Sequence, residues 1–283
     1  MASSFKLTSN LKRRLIQICA FGFSNFYAGN FLDGTIYKGE WKKFCNPGMN
    51  CYSCPAATTS CPIGAIQAVG GSINFNIAFC AIGSVLAFGV VFGRGICGRF
   101  CPFGFLQELI YKIPFPKKKL PRFLTYTKYI LLVLFVLILP VVVTNSLGSG
   151  DPFYCKYICP VGTLEAGIPL VSTHPELQAI LGWLFSWKML LLIGTILGCL
   201  SIERFFCKTM CPLGAIYALL NKVSFYRMQF IPVKCTGCFK CSKVCPMDVD
   251  PHKVPNATEC IRCGKCVDAC GTNALRLCFR DKV

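Results

Sequence analysis

A pair of cysteine runs near the C-terminus restricts the fold more than any other feature of the sequence. The first run has the spacing C-x2-C-x2-C-x3-C and precedes Pro246; its members are Cys235, Cys238, Cys241 and Cys245. The second run repeats the spacing, with Gly271 in the place of proline; its members are Cys260, Cys263, Cys266 and Cys270. In such paired runs three thiolates bind one iron–sulfur cluster and the fourth reaches a second cluster. The two runs therefore predict two [4Fe–4S] clusters.

Because the fourth cysteine of each run crosses to the other cluster, the ligands divide into two sets. The first cluster is predicted to bind Cys235, Cys238, Cys241 and Cys270, and the second Cys260, Cys263, Cys266 and Cys245. Zinc is the alternative, since four-cysteine zinc sites also use C-x2-C pairs. Eight cysteines in this doubled pattern favour iron. The composition turns polar and cysteine-rich past residue 223, so we place a domain boundary between residues 1–223 and 224–283.

The N-terminal part of the chain has the composition of a membrane protein. Hydrophobic residues make up 54% of the whole sequence, which is high for a soluble domain. Four apolar stretches approach the roughly 20 residues that a membrane-spanning helix needs; they are about 15–32, 77–93, 129–144 and 183–202. The first contains Gln17 and Asn25, so we expect it to face other helices or a partner subunit. Residues 1–223 are therefore predicted to form an α-helical membrane domain with about four transmembrane helices.

The formal net charge of +18 would suggest nucleic acid binding in a soluble protein, but topology explains it better. Lysine and arginine are concentrated before the first stretch, between the second and third, and after the fourth. Cytoplasmic loops are enriched in these residues. We predict a multi-pass protein of the cell membrane, with both termini in the cytoplasm and no nucleic acid partner.

A short C-P-x-G element recurs four times upstream of the paired runs. The elements begin at Cys61, Cys101, Cys159 and Cys211, and three of them have a cysteine four positions earlier, namely Cys97, Cys155 and Cys207. Proline is favoured in the first turn of a helix, so each element predicts a helix that starts directly after its cysteine. Free amides and the positive end of the helix dipole would stabilise an anionic cluster there.

The predicted topology places two of these elements on the cytoplasmic face, after the second and fourth stretches. A third [4Fe–4S] cluster is therefore predicted on Cys97, Cys101, Cys207 and Cys211. A pair of disulfides is disfavoured because the cytoplasm is reducing.

The opposite face carries the candidates for a fourth cluster, which are Cys51, Cys54, Cys61, Cys155 and Cys159. The position four residues before Cys61 is alanine, so Cys51 or Cys54 is expected to supply the missing ligand. Cys45 lies in the same loop and has no assigned role. Disulfides remain an alternative if this face is oxidising.

Apolar spans, C-x3-C-P motifs at their ends and the terminal cysteine runs together resemble the membrane-bound polyferredoxin family. That family includes the NapH-type subunit of nitrate respiration, the NosR-type regulator of nitrous oxide reduction and the CcoG-type oxidase assembly factor. Residues 230–278 resemble a bacterial two-cluster ferredoxin. The resemblance implies a small α+β ferredoxin-like domain, iron bound through the cysteines named above, and redox partners that often carry flavin or haem.

We therefore expect a membrane-bound electron-transfer subunit of a respiratory oxidoreductase complex, and not a stand-alone enzyme. It would relay electrons between a cytoplasmic ferredoxin-like carrier or quinol and an extracytoplasmic or membrane redox partner. An assembly factor that reduces a metal or cofactor for another enzyme, and a redox-sensing membrane regulator, are the alternatives.

The only histidines, His174 and His252, lie outside the predicted spans, which excludes haem held by two histidines within them. No P-loop motif is present, which argues against ATP-driven pumping.

Overall fold

The computed structural model describes residues 9–70, 76–143 and 150–279. These residues are mostly helical and include a two-stranded antiparallel sheet near the C-terminal end. Thr144, the predicted end of the third span, lies outside the described residues.

The helices of the N-terminal part are joined by connections of different lengths, of which the longest described one, between α2 and α3, contains the short 3-10 helix Glu40–Lys43. They are α1 (Ser9–Ser24), α2 (Asn30–Asp33), α3 (Pro62–Gly70), α4 (Asn76–Phe92), α5 (Gly95–Arg99), α6 (Pro102–Ile110), α7 (Arg122–Val142), α8 (residues 160–173), α9 (Pro175–Ala179), α10 (Trp183–Ser201), α11 (Phe205–Thr209) and α12 (Pro212–Leu220). The C-terminal part contains β1 (Tyr226–Phe230), α13 (Lys240–Lys243), α14 (Lys265–Asp268) and β2 (Leu275–Phe279).

Two of the described helices, α7 and α10, are long and apolar enough to cross a membrane by length and composition. The apolar part of α4, Cys80–Phe92, is shorter. The first predicted span is not one helix, because α1 ends at Ser24 and α2 begins only at Asn30. The amide of Asn25 donates to the Phe21 carbonyl at 3.1 Å, and such local side-chain bonds favour the end of a helix over its continuation.

Three polar residues of α1 face the protein, and one of them is Gln17, for which the sequence predicted a position against other helices or a partner subunit. Its buried residues are Arg13, Gln17 and Ser24, and Gln17 donates to the Gly98 carbonyl at 3.2 Å. The side chains of α1 that lie on the outside are mainly apolar, including Leu15 and Ile18. This helix is therefore polar inside and apolar outside, the arrangement that suits a surrounding lipid phase.

Each C-P-x-G element begins a helix, as predicted. The first residues of α3, α6, α8 and α12 are Pro62, Pro102, Pro160 and Pro212. Cys101 and Cys211 cap their helices: each sulfur accepts a backbone N–H, from Gly104 at 3.3 Å and from Gly214 at 3.2 Å. The proline and the cap together fix the position of the cysteine sulfur at the helix start.

The C-terminal part packs directly on the helices through buried Arg262. Its guanidinium donates to the carbonyls of Phe92, at 2.9 Å, and Asn221, at 2.8 Å. These residues stand at the C-terminal ends of α4 and α12. Carbonyls there carry partial negative charge that a cation stabilises, so Arg262 holds the second cysteine run against the ends of two helices.

Candidate cluster-binding sites

The first group of cysteines lines one cavity in the C-terminal part; its members are Cys235, Cys238, Cys241 and Cys270. The rings of Phe230, Phe239 and His252 also line it. Cys235 and Cys238 are exposed to solvent. The backbone N–H of Ala274 donates to the Cys270 sulfur at 3.3 Å, a contact of the kind that tunes the potential of a bound cluster.

The second group lines a separate cavity; its members are Cys245, Cys260, Cys263 and Cys266. Cys263 and Cys266 are buried, and buried Met228, Met247 and Ile261 close the cavity around them. The structure thus brings Cys245 to the second run and Cys270 to the first, the crossing that the spacing predicts.

The third group is buried between α5, α6, α11 and α12; its members are Cys97, Cys101, Cys207 and Cys211. Burial, and then the thiols of Cys207, Cys97 and Cys101, raise the pKa of Cys211, so the four sulfurs lie within electrostatic range of one another. The two C-x3-C-P motifs, more than 100 residues apart in the chain, therefore form one site.

Buried charges surround the third group. Glu108 of α6 lies 2.6 Å from both Arg13 of α1 and Arg204. Burial alone would raise the pKa of Glu108, but the charges and hydrogen bonds of Arg204 and Arg13 lower it to about 2. The carboxylate therefore stays ionised at neutral pH, and two arginines against one glutamate leave positive charge beside a site for an anionic cluster.

The fourth group contains Cys51, Cys61, Cys155 and Cys159. Burial, and then the thiols of Cys155, Cys51 and Cys61, raise the pKa of Cys159. Cys54 packs with Ala56 and Ala57, and Cys51 lies against the same cluster, but it is the Cys51 thiol that acts on the pKa of Cys159. Of the two candidates that the sequence left open, the structure favours Cys51. Cys45 lies near Cys80 and Cys61.

Two lysines and a glutamate border the fourth group. Lys42 donates to the Tyr52 carbonyl at 2.6 Å, and Lys188 to the Cys155 carbonyl at 3.3 Å. Glu165 accepts the backbone N–H of Cys51 at 2.7 Å. Burial raises the pKa of Glu165 to about 8, so this carboxyl is mostly neutral at pH 7 and adds little negative charge to the site.

These all-cysteine sets fit iron–sulfur clusters. Burial is the main reason why the pKa of these thiols is high, about 11 for Cys97 and Cys260 and about 12 for Cys155. Thiols in such surroundings stay protonated unless a bound cation supplies the compensating charge. All 22 cysteines lie in the described residues, and no disulfide joins any of them. In residues 9–70, 76–143 and 150–279, no three His, Cys, Asp or Glu side chains are placed to bind one and the same metal ion. A [4Fe–4S] cluster does not need such a set, because each of its four thiolates binds a different iron atom.

Met49 lies between the third and fourth groups. Its backbone N–H donates to the Cys101 sulfur at 3.4 Å, and its own sulfur is 4.0 Å from that of Cys61. Gly48 permits this approach, since a Cβ there would lie 2.6 Å from the Cα of Cys101. A single buried residue therefore contacts a cysteine of each group.

The second and third groups also touch. Gly98 follows Cys97 and Ile261 follows Cys260, and a Cβ at Gly98 would lie 2.4 Å from the Ile261 carbonyl oxygen. Only glycine allows this contact between the two backbones. Glu259, directly before Cys260, forms ion pairs with Arg94 and Lys128.

Sequence reasoning missed two glutamines that donate to cysteine sulfurs. Gln107 donates to Cys207 at 3.2 Å, and Gln67 to Cys155 at 3.3 Å. Each glutamine lies six residues after the cysteine of its own C-P-x-G element and contacts a cysteine of the other element in its group. This shared position in the repeat is the signal that reveals them.

Comparison with known families finds the same motifs. A family profile described as "4Fe-4S binding domain" matches residues 73–122, 129–169 and 178–229, and each segment contains one C-x3-C-P motif. The chain belongs to the 4Fe–4S binding domain family. A second profile, "4Fe-4S dicluster domain", matches residues 227–271, which hold the paired runs. The resemblance to the membrane-bound polyferredoxins is confirmed, and this family member is a ferredoxin-type iron–sulfur protein of electron transfer.

Relatives of this 4Fe–4S family member are found in archaea and bacteria. "Uncharacterized protein MJ0749" of Methanocaldococcus jannaschii is 30% identical over 73% of this chain and 72% of its own. "Methylamine utilization ferredoxin-type protein MauN" of Methylorubrum extorquens is 26% identical over 87% and 77%. "Ferredoxin-type protein NapH" of Haemophilus influenzae is 29% identical over 35% and 36%. No solved structure matches the chain.

Proposed function

We propose that this chain is a membrane-bound electron-transfer subunit with four [4Fe–4S] sites in line, from the first group through the second and third to the fourth. The clusters, when bound, supply one-electron redox chemistry. The protein orders the sites: Ile261 meets Gly98 between the second and third groups, and Met49 lies between Cys101 and Cys61.

The observation that carries the proposal is the position of Met49. A hydrocarbon core about 30 Å thick is too wide for one electron hop between its two faces. The loop that holds Met49 reaches the third group from the side of the fourth, so it shortens the distance across which an electron must pass. The path then needs no cofactor from another subunit between these two sites.

The proposed membrane domain has four spans, formed by α1, α4, α7 and α10, with both termini on the cytoplasmic side. The carboxylate of Asp268, beside the first cysteine group, accepts the N–H groups of Ser9 and Asn10. At the other end of α1, Asn46 donates to the Ser24 hydroxyl at 2.9 Å. The helix has 16 residues, about 24 Å, and runs from the ferredoxin-like domain, residues 224–283, to the loop of the fourth group. This supports a crossing in spite of its short length.

The residues around the third and fourth groups stabilise negative charge. Gln107 and Gln67 donate to sulfurs of the third and fourth groups, which favours the more negative, reduced state of a bound cluster. Arg13 and Arg204 add positive charge beside the third group, with the same effect. We therefore propose that the third group is a stable resting position for an electron inside the protein.

The proposed partners lie at the two ends of this line. A soluble ferredoxin-like carrier, or quinol, would exchange electrons with the cytoplasmic end, and a flavin- or haem-bearing redox subunit would meet the fourth group. The printed names of MauN and NapH as ferredoxin-type proteins support electron transfer in a larger redox system.

Iron and sulfide analysis with a redox titration followed by EPR tests the proposal. The protein is purified without oxygen, and four cubanes predict about 16 iron atoms per chain. The C207S/C211S variant should contain about 12, with one EPR signal lost. C54S is the matched control, since Cys54 lies in the cysteine-rich loop but packs against alanines; its iron content should equal that of the wild type.

About eight iron atoms in the wild type would contradict the membrane sites and leave only the paired runs as cluster ligands. Co-purification then separates a relay from an assembly factor. Stable, stoichiometric association with redox subunits supports the relay, whereas transient association supports the assembly role.

A further inference from the structure

The outer surface of the first cysteine group is unusually open. Residues 232–240 are all exposed, and they include two of the four cysteines. Val233 is 96% exposed and Phe239 is 53% exposed. Phe239 holds a left-handed backbone conformation, with φ of 55°, and its ring packs in a T-shaped arrangement on the ring of His252, with the two centroids 4.9 Å apart. Exposed apolar side chains therefore lie beside the site through which electrons would enter or leave.

The lysines of this surface differ from those at the contact between the C-terminal part and the helices. At that contact Lys208 pairs with Asp248 at 2.6 Å, Lys265 with Glu203, and Lys128 with Glu259. On the outer side Lys234, Lys240 and Lys243 are exposed and form no salt bridge with any residue that the structure describes. Asp250, an acid of the same segment, is held by Ser242 and lies near Lys253 and Arg122. The outer surface thus keeps a net positive charge.

We propose that this surface, defined as the port face (Val233, Lys234, Phe239, Lys240 and Lys243), binds an acidic electron-carrier protein. An apolar centre with unpaired cations at its edge matches a partner whose redox centre is surrounded by carboxylates, because complementary charges steer the two proteins into contact. One electron leaves the reduced carrier and enters the first site. The identity of this site as a redox centre rests on the function proposed above, whereas the binding of the carrier does not.

The basic run Lys117–Lys119 is the competing surface. The ammonium group of Lys117 donates to the carbonyls of Ile113 and Leu200, each at 2.9 Å, and lies 3.9 Å from the centre of the Tyr111 ring. Lys118 is bound through its backbone N–H to Ser201 at 2.9 Å. This run closes the ends of α6 and α10, so docking is assigned to the port face, whose lysines have no such role in the described part of the chain.

Binding of an acidic flavodoxin tests the proposal directly. The full-length protein in nanodiscs is immobilised, and the dissociation constant of oxidised flavodoxin is measured at low and high salt. The variant K234E/K240E/K243E should bind about tenfold more weakly at low salt, and the difference should shrink at high salt. The neutral variant K234Q/K240Q/K243Q should lie between the two. The matched control K112E/K118E/K119E changes three exposed lysines elsewhere and should bind like the wild type.

Iron content and the EPR signal of the first site check that each variant is folded. Equal binding by the wild type and the charge-reversed variant, or an equal loss in the control variant, would overturn the port face. The rate at which reduced flavodoxin reduces the protein, followed by stopped flow, is a second readout and should fall in the same order. If flavodoxin binds as expected but the third and fourth sites stay oxidised, the relay is wrong and the docking surface stands.

Discussion

Arg94 and Arg204 each bind the backbone of the other's cysteine motif: Arg94 donates to the carbonyl of Cys207 at 2.9 Å, and Arg204 to the carbonyl of Cys97. Each arginine lies three residues before the first cysteine of a C-x3-C-P motif. These two reciprocal hydrogen bonds join segments that are distant in the chain. Both side chains are fully buried, so each needs a carboxylate partner to offset the loss of its hydration.

The R204M variant should be strongly destabilised. It leaves Glu108 buried with Arg13 alone and removes a bond to the Cys97 carbonyl. Removal of one partner from a buried ion pair costs about 3–5 kcal/mol, so the thermal unfolding temperature should fall and the EPR signal of the third site should weaken. K119M, at an exposed lysine, is the control and should unfold like the wild type. An R204M protein as stable as the control would show that the buried pair contributes little.

The Q107L variant should lower the reduction potential of the third site only. The N–H···S bond from Gln107 stabilises the added negative charge of a reduced cluster, so its loss makes reduction less favourable. Q67L should do the same at the fourth site. Each variant is the control for the other in a redox titration followed by EPR. Equal shifts at both sites in either variant would mean that the glutamines act on the overall packing and not on one sulfur each.

Spacing within the chain was sufficient to predict the helix starts, because proline and cysteine act within one turn. It also predicted which cysteines share the third group, since the predicted topology places both C-x3-C-P motifs on the same side. The interruption of α1 after Ser24 was harder to foresee, as apolar residues continue to Leu32 and only local hydrogen bonds end the helix.

The choice between Cys51 and Cys54 could not be made from the sequence. It depends on how the loop between α2 and α3 folds back into the helices, where Asn50 donates to the Ser24 carbonyl at 3.0 Å and Glu165 accepts the Cys51 N–H. Contacts of this kind join residues from distant parts of the chain, and no periodicity encodes them. The position of Met49 depends on the same loop.

Iron should be lost from the four proposed sites in a defined order. Cys235 and Cys238 are exposed, whereas all four cysteines of the third group are buried, so an oxidant and a chelator reach the first site sooner. On treatment with ferricyanide and EDTA, the EPR signal of the first site should disappear first and that of the third site late. Simultaneous loss would indicate that the whole protein opens in one step.

The G48V variant should separate the third and fourth sites electronically without removing a cysteine. A Cβ at position 48 would lie 2.6 Å from the backbone Cα of Cys101, and backbone cannot rotate away as a flexible side chain can. Overpacking of this kind costs about 1–3 kcal/mol, and its relief would move Met49 away from Cys101. We expect full iron content, a weaker magnetic interaction between the two sites in EPR, and slower reduction of the fourth site.

G64A is the matched control, since nothing lies within 4 Å of the Cβ position at Gly64. A G48V protein that reduces its fourth site at the wild-type rate would show that electrons do not pass beside Met49.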